Sequence, residues 1–220
     1  MQNTTGKKTP LHELDLILTH HRKWLESEGK IGRRAELKGI DLSGRELFGV
    51  ILTRAIIQDV NFCGANLRTS NFKGASILGC RLSQAHFQWS ILTGAILEDC
   101  DVTRANLQFA EISSATLTDV DLSGAFFHNA YLSKAVLQRA NLTGTNLRYS
   151  TWESAVLEHV NLTDSTIQLA DFSNATLRDV DFHNAKNFNT NFNKAHLGNV
   201  ELDETKLKNV NFQDAYQNLR

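Results

Sequence analysis

Proline is nearly absent from this chain, with Pro10 as the one proline among 220 residues. Because proline interrupts helices and strands, its absence after residue 10 favours regular structure without irregular linkers. Three cysteines are too few for a disulfide framework. The longest uncharged apolar stretch, near Leu47 to Leu52, is too short to span a bilayer, and residues 1–8 lack the apolar segment of a secretory signal. We therefore expect a cytoplasmic protein that makes no membrane contact.

Sequence motifs of catalysis are also missing. The chain has no phosphate-binding glycine loop and no serine nucleophile elbow. Its histidines have no metal-ligand spacing, and we interpret them as solvated surface residues: His12, His20, His21, His86, His128, His159, His183 and His196. The sequence therefore predicts a non-enzymatic protein with no catalytic, cofactor-binding or metal site.

What the chain does contain is an unbroken five-residue period. From Leu37 to Phe212 every fifth residue is large and apolar, which makes 36 consecutive units, and Asn187 is the one exception. We call this residue the centre of its unit. The residue two before it, the small position, is mostly alanine, serine, threonine, valine or cysteine. A period of five fits neither a helix nor a strand, so it indicates an internal repeat.

A second period of twenty lies within the first. Alanine fills the small position at every twentieth residue from Ala35 to Ala215, whereas the class that begins at Ile40 is bulkier. The chain therefore returns to an equivalent environment every four units, as a four-sided β-solenoid would. Many glycines, such as Gly44 and Gly64, stand two residues after a centre, where a tight turn with positive φ is expected.

The repeat resembles that of the pentapeptide repeat family, whose consensus is A-[N/D]-L-x-x. Ala65-Asn66-Leu67, Ala105-Asn106-Leu107, Ala140-Asn141-Leu142 and Ala170-Asp171-Phe172 carry the motif. The resemblance implies an all-β solenoid, a right-handed quadrilateral β-helix of about nine coils, which we place at residues 30–215. The register has no insertion, so we expect no projecting loop.

Residues before the repeat predict a short N-terminal helix. Thr9 and Pro10 form a helix start, Gly29 a stop, and the leucines between them an apolar stripe. We predict a disordered segment at 1–8, a capping helix at 9–29 over the open first coil, and a tail at 216–220.

Three expectations concern the solenoid interior. Leu107 and Leu142 should be fully buried. Cys80 and Cys100 occupy the same inward position on successive coils and should be core thiols rather than a disulfide, with Cys63 exposed and free. Asn187 should find a backbone or water partner, or be replaced inside by Phe188, because an unpaired buried amide is costly.

Acidic residues recur at the twenty-residue period and form a candidate acidic face: Asp99, Asp101, Asp119, Asp121, Asp179 and Asp181. Some family members imitate DNA in this way and bind DNA gyrase. Here Arg81, Arg139 and Arg178 interrupt the charge, and residues 31–220 contain 20 acidic against 18 basic side chains. A solvated polar face is the simpler interpretation.

Large apolar residues also recur at positions that should point outward. They form a candidate partner surface: Phe48, Trp89, Ile91, Phe109, Tyr131, Tyr149 and Leu169. Clustered apolar residues on one edge suggest a protein contact, although each could instead pack locally over the coil edge. A convex edge is unsuited to a small-molecule pocket.

A candidate dimer end follows from the last coil, which includes Leu207, Phe212 and Tyr216. Five further residues are too few to cover a coil, so two-fold pairing of these ends is one expectation, and a monomer with a folded-back tail is the other. Our first interpretation is a protein–protein interaction module with an unknown partner and no direct nucleic-acid binding. The alternative is a DNA mimic that binds gyrase and protects it from its poisons.

Overall fold

The structure is a computed structural model that describes residues 10–202 and 208–218. One helix, α1 (Leu11–Glu26), precedes a parallel β-solenoid. Ten strands lie in one sheet in chain order: β1 (Glu36–Lys38), β2 (Ile56–Gln58), β3 (Ser76–Leu78), β4 (Ile96–Glu98), β5 (Thr116–Thr118), β6 (Val136–Gln138), β7 (Val156–Asn161), β8 (Thr176–Asp181), β9 (His196–Glu201) and β10 (Tyr216–Asn218). The predicted solenoid is confirmed by this sheet, and its four sides by the parallel bridges on the other three sides.

Each strand pairs with its neighbour in parallel at a register of twenty residues, for example Leu37 with Ile57. The other three sides are joined by parallel bridges at the same register, in the columns that begin at Asp41, Glu46 and Ile51. We call these the second, third and fourth sides, and the side with the strands the strand side. One coil is therefore four five-residue sides, and the register continues from β1 to β10.

Residue type explains why one side forms strands and the others mostly isolated bridges. On the strand side the residue before each centre is often β-branched, as at Ile56, Ile96 and Val136. β-branched side chains favour extended backbone. The corresponding residue on the other sides is mostly Asn, Asp or another polar residue, which favours turns.

The interior is filled by the centres and the small positions. Leu107 and Leu142 are 4% and 0% exposed, as the period predicts. Aromatic centres on the fourth side stack into an internal column, in which Trp152, Phe172, Phe192 and Phe212 follow one another with ring centroids 5.2–5.5 Å apart. The buried Trp152 ring donates its Nε1–H to Ser150 Oγ at 2.7 Å. The N–H of the buried indole is thus satisfied by a small hydroxyl residue inside the core.

The residue two after each centre turns the chain from one side to the next, and we call it the corner position. Every described corner position from Gly39 to Asp214 has positive φ, in glycines and in other residues alike. The glycine pattern of the sequence is therefore explained, and the turn is also imposed on residues that rarely adopt it.

The motif residue Asn or Asp has a physical reason on these coils. At Asp41 the side-chain Oδ1 accepts the backbone N–H of Ser43 at 2.9 Å, and at Asn71 that of Lys73 at 2.9 Å. Asparagine can also donate to the coil before it, as Asn61 Nδ2 does to Asp41 Oδ1 at 2.9 Å. Such side chains satisfy turn donors and join neighbouring coils.

Helix α1 covers the start of the solenoid. Leu14 is buried, and Ile17 and Leu18 pack against the same core cluster as the first coil. The helix ends at Glu26, three residues before the predicted stop at Gly29, because Ser27 and Glu28 leave the helical conformation. The predicted cap at Thr9 lies outside the described residues.

His21 overturns the expectation that all histidines are solvated. It is 1% exposed, and its Nδ1 accepts the backbone N–H of Ala35 at 3.0 Å. Gly32 permits this close docking, since a Cβ there would lie 2.2 Å from the carbonyl oxygen of His20, and its φ is +83°. The contact ties the cap to the first strand.

Two of the outcomes expected for Asn187 are wrong: Phe188 does not replace it inside the core, and its side-chain oxygen has no backbone partner. Asn187 remains inward at 3% exposure, Phe188 is 38% exposed, and Asn187 Oδ1 has no hydrogen-bond partner in the protein. The coil register is stronger than the preference of one residue, because shifting Phe188 inward would displace every neighbouring centre.

The three thiols are free. Cys80 and Cys100 are buried as expected. The neighbouring Cys100 thiol and burial raise the pKa of the Cys80 thiol, which is typical of a structural core cysteine. Cys63 is half-buried rather than exposed, because its Sγ lies 3.2 Å from Ser83 Oγ on the next coil.

Candidate interaction surfaces

The corner between the third and fourth sides carries a column of apolar side chains, which we call the aromatic corner: Trp89, Phe109, Tyr149 and Leu169, with Asn129 among them. Trp89 and Phe109 stack face to face with centroids 5.6 Å apart and planes 5° from parallel. Trp89 and Tyr149 are 54% and 50% exposed, whereas Phe109 is half-buried between its neighbours. The predicted edge therefore forms a continuous surface.

His128 completes this column, and the sequence analysis missed it. Its ring meets Phe109 edge to face at 6.4 Å and Tyr149 at 5.2 Å. It stands one residue before Asn129, so it bridges the gap that the polar residue leaves. The sequence signal that could have indicated this role is the position of His128 directly before Asn129, the polar member of the column.

Backbone strain marks the same residues. Trp89, Phe109, Tyr149 and Leu169 have φ of 58°, 59°, 58° and 59°. For an L-residue this conformation costs roughly 1 kcal/mol relative to glycine or asparagine. Glycine or asparagine occupies the same column at Gly49, Asn129 and Asn189. The fold alone gives no reason for large apolar side chains at these corners.

The other predicted members of the partner surface lie around this corner. Tyr131 is 51% exposed and Ile91 is half-buried, and each stands directly before a fourth-side centre, next to the aromatic corner. Phe48 is the most exposed at 64%, and the Arg68 guanidinium lies 6.0 Å from its ring centroid. Phe48 directly follows the third-side centre Leu47 on the first coil, and it adds exposed apolar area there.

A second corner, between the strand side and the second side, is acidic. It includes all six predicted residues and extends along the rod as the acidic corner: Asp41, Asp59, Asp99, Asp101, Asp119, Asp121, Asp179, Asp181 and Glu201. Arg81 and Arg139 stand in the same two columns. The aromatic and acidic corners are two sides apart, so they lie at opposite corners of each coil.

Several carboxylates of the acidic corner have local partners. Arg139 forms two hydrogen bonds to Asp119, at 2.7 and 2.6 Å, and these hold the pKa of the Asp119 carboxyl below its usual range. Asp179 accepts from Asn199 at 2.6 Å and lies 3.5 Å from His159. Asp101, Asp121 and Asp181 each accept the backbone N–H two residues on. Turn formation therefore accounts for part of this charge.

The predicted dimer end is described in part. Phe212 is half-buried and stacks on Phe192 at 5.3 Å, and Tyr216 is 61% exposed. Leu207 lies outside the described residues. Pairing of two such ends stays a prediction, and light scattering on the purified protein measures it.

Membrane-spanning helices and metal-binding clusters are both absent from residues 10–202 and 208–218. No helix in this part of the chain is long and apolar enough to cross a membrane. Within the same residues, no three His, Cys, Asp or Glu side chains gather in a way that could hold a metal ion.

Family models match most of the chain. The model described as pentapeptide repeats (8 copies) matches residues 33–68, 46–84, 70–108, 80–119 and 110–148, and the model described as pentapeptide repeat region matches residues 135–212. The chain belongs to the pentapeptide repeat family. The resemblance seen in the sequence is therefore confirmed over almost the whole solenoid of this pentapeptide repeat protein.

Solved structures with this fold include a trypsin-treated variant of QnrB1, described as a plasmid-mediated fluoroquinolone resistance protein. It has a TM-score of 0.54 and 22% identity, over 84% of this chain and 90% of that chain. Full-length QnrB1 has a TM-score of 0.46 and 21% identity, over 84% and 92%. Rfr23, a pentapeptide repeat protein from the cyanobacterium Cyanothece 51142, has a TM-score of 0.27 and 20% identity, over 50% and 89%. At such identities the first likeness shows a shared fold. No curated protein matches the chain.

Proposed function

We propose that this pentapeptide repeat protein is a non-enzymatic cytoplasmic interaction module whose contact surface is the aromatic corner. The observation that carries the proposal is the column of ring contacts through Trp89, Phe109, His128 and Tyr149, in which Trp89 and Tyr149 are about half exposed. Exposed aromatic rings are typical of the centres of protein interfaces.

The partner is a protein rather than a small molecule because the column is convex. A small ligand needs a concave site that covers most of its surface, whereas rings along a straight rod meet a flat or grooved partner. Rings that neighbouring coils hold in place lose little freedom on binding, which favours affinity.

Asparagine substitution tests the proposal without removing the turn. We expect Trp89→Asn combined with Tyr149→Asn to leave the free energy of unfolding within about 1 kcal/mol of the wild type, because lost ring contacts of roughly 0.5–1.5 kcal/mol each are offset by relief of the left-handed backbone. Urea unfolding measures the stability. Affinity capture with the purified wild type and with each variant, followed by mass spectrometry, shows which partner proteins each one retains.

Lys134→Asn combined with Ser114→Asn is a matched control. Both residues are corner positions with positive φ, but they lie on the opposite edge of the fourth side. A partner retained by the wild type and the control but lost by the aromatic variant supports the proposal. Loss of several kcal/mol of stability in the aromatic variant would instead show that the rings are local lids.

The acidic corner favours a second function, binding to DNA gyrase as a DNA mimic. Nine carboxylate residues follow one corner of the rod, and the fold is shared with a fluoroquinolone resistance protein. The ion pair of Asp119 with Arg139 and the turn bonds of Asp101 and Asp121 reduce the field that such a mimic needs. We therefore rank it below protein binding through the aromatic corner.

Gyrase supercoiling measured with and without the purified protein tests this second function. A DNA mimic should inhibit supercoiling or protect it from a quinolone, and Asp99→Asn with Asp101→Asn should weaken that effect. Supercoiling unchanged at micromolar protein, in both the presence and the absence of drug, would exclude it.

A further inference from the structure

The strand side has an interruption that the fold does not require. The residue directly after each centre on this side has a side chain on eight successive coils: Lys38, Gln58, Leu78, Glu98, Thr118, Gln138, Glu158 and Arg178. The next member of this column is Gly198. The other described glycines of the solenoid stand at corner positions with positive φ, and Gly198 is not among them.

Steric crowding does not require a glycine at position 198 either. A Cβ added at Gly198 would lie 3.7 Å from Arg178 Cγ and 3.9 Å from the carbonyl oxygen of Leu177, which are ordinary van der Waals distances. A side chain could therefore stand here, as it does on the preceding coils. Its absence leaves the backbone of β9 uncovered and opens a notch on the strand side.

The notch is lined by Thr176, Arg178, His196, Leu197, Gly198 and Tyr216 and has a volume of about 350 Å³. This volume falls at the lower end of the range of small-molecule sites, roughly 300–1,000 Å³. It lies on the strand side, away from the aromatic corner. The two surfaces are therefore separate.

A ladder of side chains ends at this notch. Gln138 Nε2 donates to Glu158 Oε2 at 3.2 Å, and Arg178 Nη1 donates to Glu158 Oε1 at 3.0 Å. The next step of the ladder would come from residue 198, which has no side chain. A guanidinium has five N–H donors, so Arg178 can bind Glu158 and still donate to a group in the notch.

The remaining walls suit a flat anion. Thr176 and Tyr216 have hydroxyl groups, and the His196 imidazole has an N–H donor. The His196 and Tyr216 rings lie 6.1 Å apart at an angle of 49° and present ring surface on one flank. Every polar wall side chain can donate a hydrogen bond, and the floor is the backbone at Leu197 and Gly198.

We propose that this notch binds a small organic anion with a carboxylate or phosphate group on a planar body. The anionic group pairs with Arg178, and the planar body covers Gly198 beside His196 and Tyr216. The ligand takes the place of the missing step in the Gln138–Glu158–Arg178 ladder. Because Glu158 already neutralises part of the Arg178 charge, we expect millimolar affinity.

Titration followed by NMR of the His196 ring tests the site, with benzoate, phenyl phosphate and inorganic phosphate as probes. We expect saturable shifts for at least one ring-bearing probe, with a dissociation constant at least about tenfold below that of inorganic phosphate. Comparison of benzoate with phenyl phosphate distinguishes a carboxylate from a phosphate ligand.

Gly198→Gln fills the notch with the side chain that the same column has at Gln58 and Gln138, so its thermal midpoint should match the wild type. Gly198→Gln and Arg178→Gln should each abolish the saturable shifts, whereas Arg139→Gln, on the acidic corner, should retain them. If Gly198→Gln does not fold, Arg178→Gln decides. The proposal is overturned if no probe gives saturable shifts, or if the shifts persist in a folded Gly198→Gln variant or in Arg178→Gln. It is also overturned if inorganic phosphate binds as tightly as the ring-bearing probes.

Discussion

Single side chains hold the cap and the core of this rod through contacts that can be tested one at a time. His21 is the clearest case, because a neutral imidazole accepts a backbone N–H inside the protein. Burial lowers its pKa and nearby Arg34 lowers it further, while the neighbouring Thr53 backbone opposes the change. A buried Nδ1 that accepts a hydrogen bond cannot also take a proton without losing that contact.

The stability of the cap should therefore depend on pH. The folded pKa of His21 lies below the unfolded value of about 6.5, so its contribution is complete above pH 6.5. It declines as the pH falls from 6.5 toward the folded pKa, because the unfolded chain takes up the proton first. Urea unfolding of the wild type and His21→Gln between pH 8 and pH 5 measures this, with the larger loss expected in the wild type. Parallel profiles would show that His21 does not control the cap.

Ser150 should contribute more to the stability of the fold than Ser90, which occupies the same column. Ser150→Ala leaves the buried Trp152 Nε1–H without its acceptor, and we expect a loss of roughly 1–3 kcal/mol in the free energy of unfolding. Ser90→Ala is the matched control, since Ser90 occupies the same column, where Ala110, Ala130 and Ala170 also stand. Chemical denaturation of both variants gives the comparison. Equal losses would contradict a special role for the tryptophan contact.

At the scale of the five-residue unit, the weak point is the one that contains Asn187. Asn187→Leu restores the apolar centre that its column has at Leu147 and Ile167, and removes a buried carbonyl oxygen without a protein partner. We expect the free energy of unfolding to rise by roughly 1–3 kcal/mol. The shift in the urea midpoint measures it. Ile167→Asn, one coil earlier, should cause a loss. A neutral or lower value for Asn187→Leu would mean that the amide is satisfied in solution.

The units were predictable because the period fixes which residue of each five is buried. This register was enough to predict that Leu107 and Leu142 are buried. The glycines at the turns predicted the positive φ of the corner positions. His21 could not be predicted, since nothing in a helical pattern distinguishes a histidine docked on a backbone N–H from a solvated one. The bridging role of His128 required the distance between successive coils. The notch at Gly198 required the positions of the side chains around it on the neighbouring coils.

For the molecule as a whole, charge and apolar area are separated by the four-fold repeat. The acidic and aromatic corners lie two sides apart, so a partner can meet one without approaching the other. Because the corner residues are outside the core, each surface can change in sequence while the interior stays constant. The aromatic corner should thus determine partner binding, and the interior should determine stability.

The constant register of twenty residues also determines how the chain reaches its fold. Each strand of the solenoid pairs with a segment twenty residues away, so no contact between coils requires closing a long loop. The entropy lost on closing a loop of this size is the same for every coil. Folding can begin on any coil and extend in both directions, and its rate should exceed that of sandwiches of equal length with distant strand pairs.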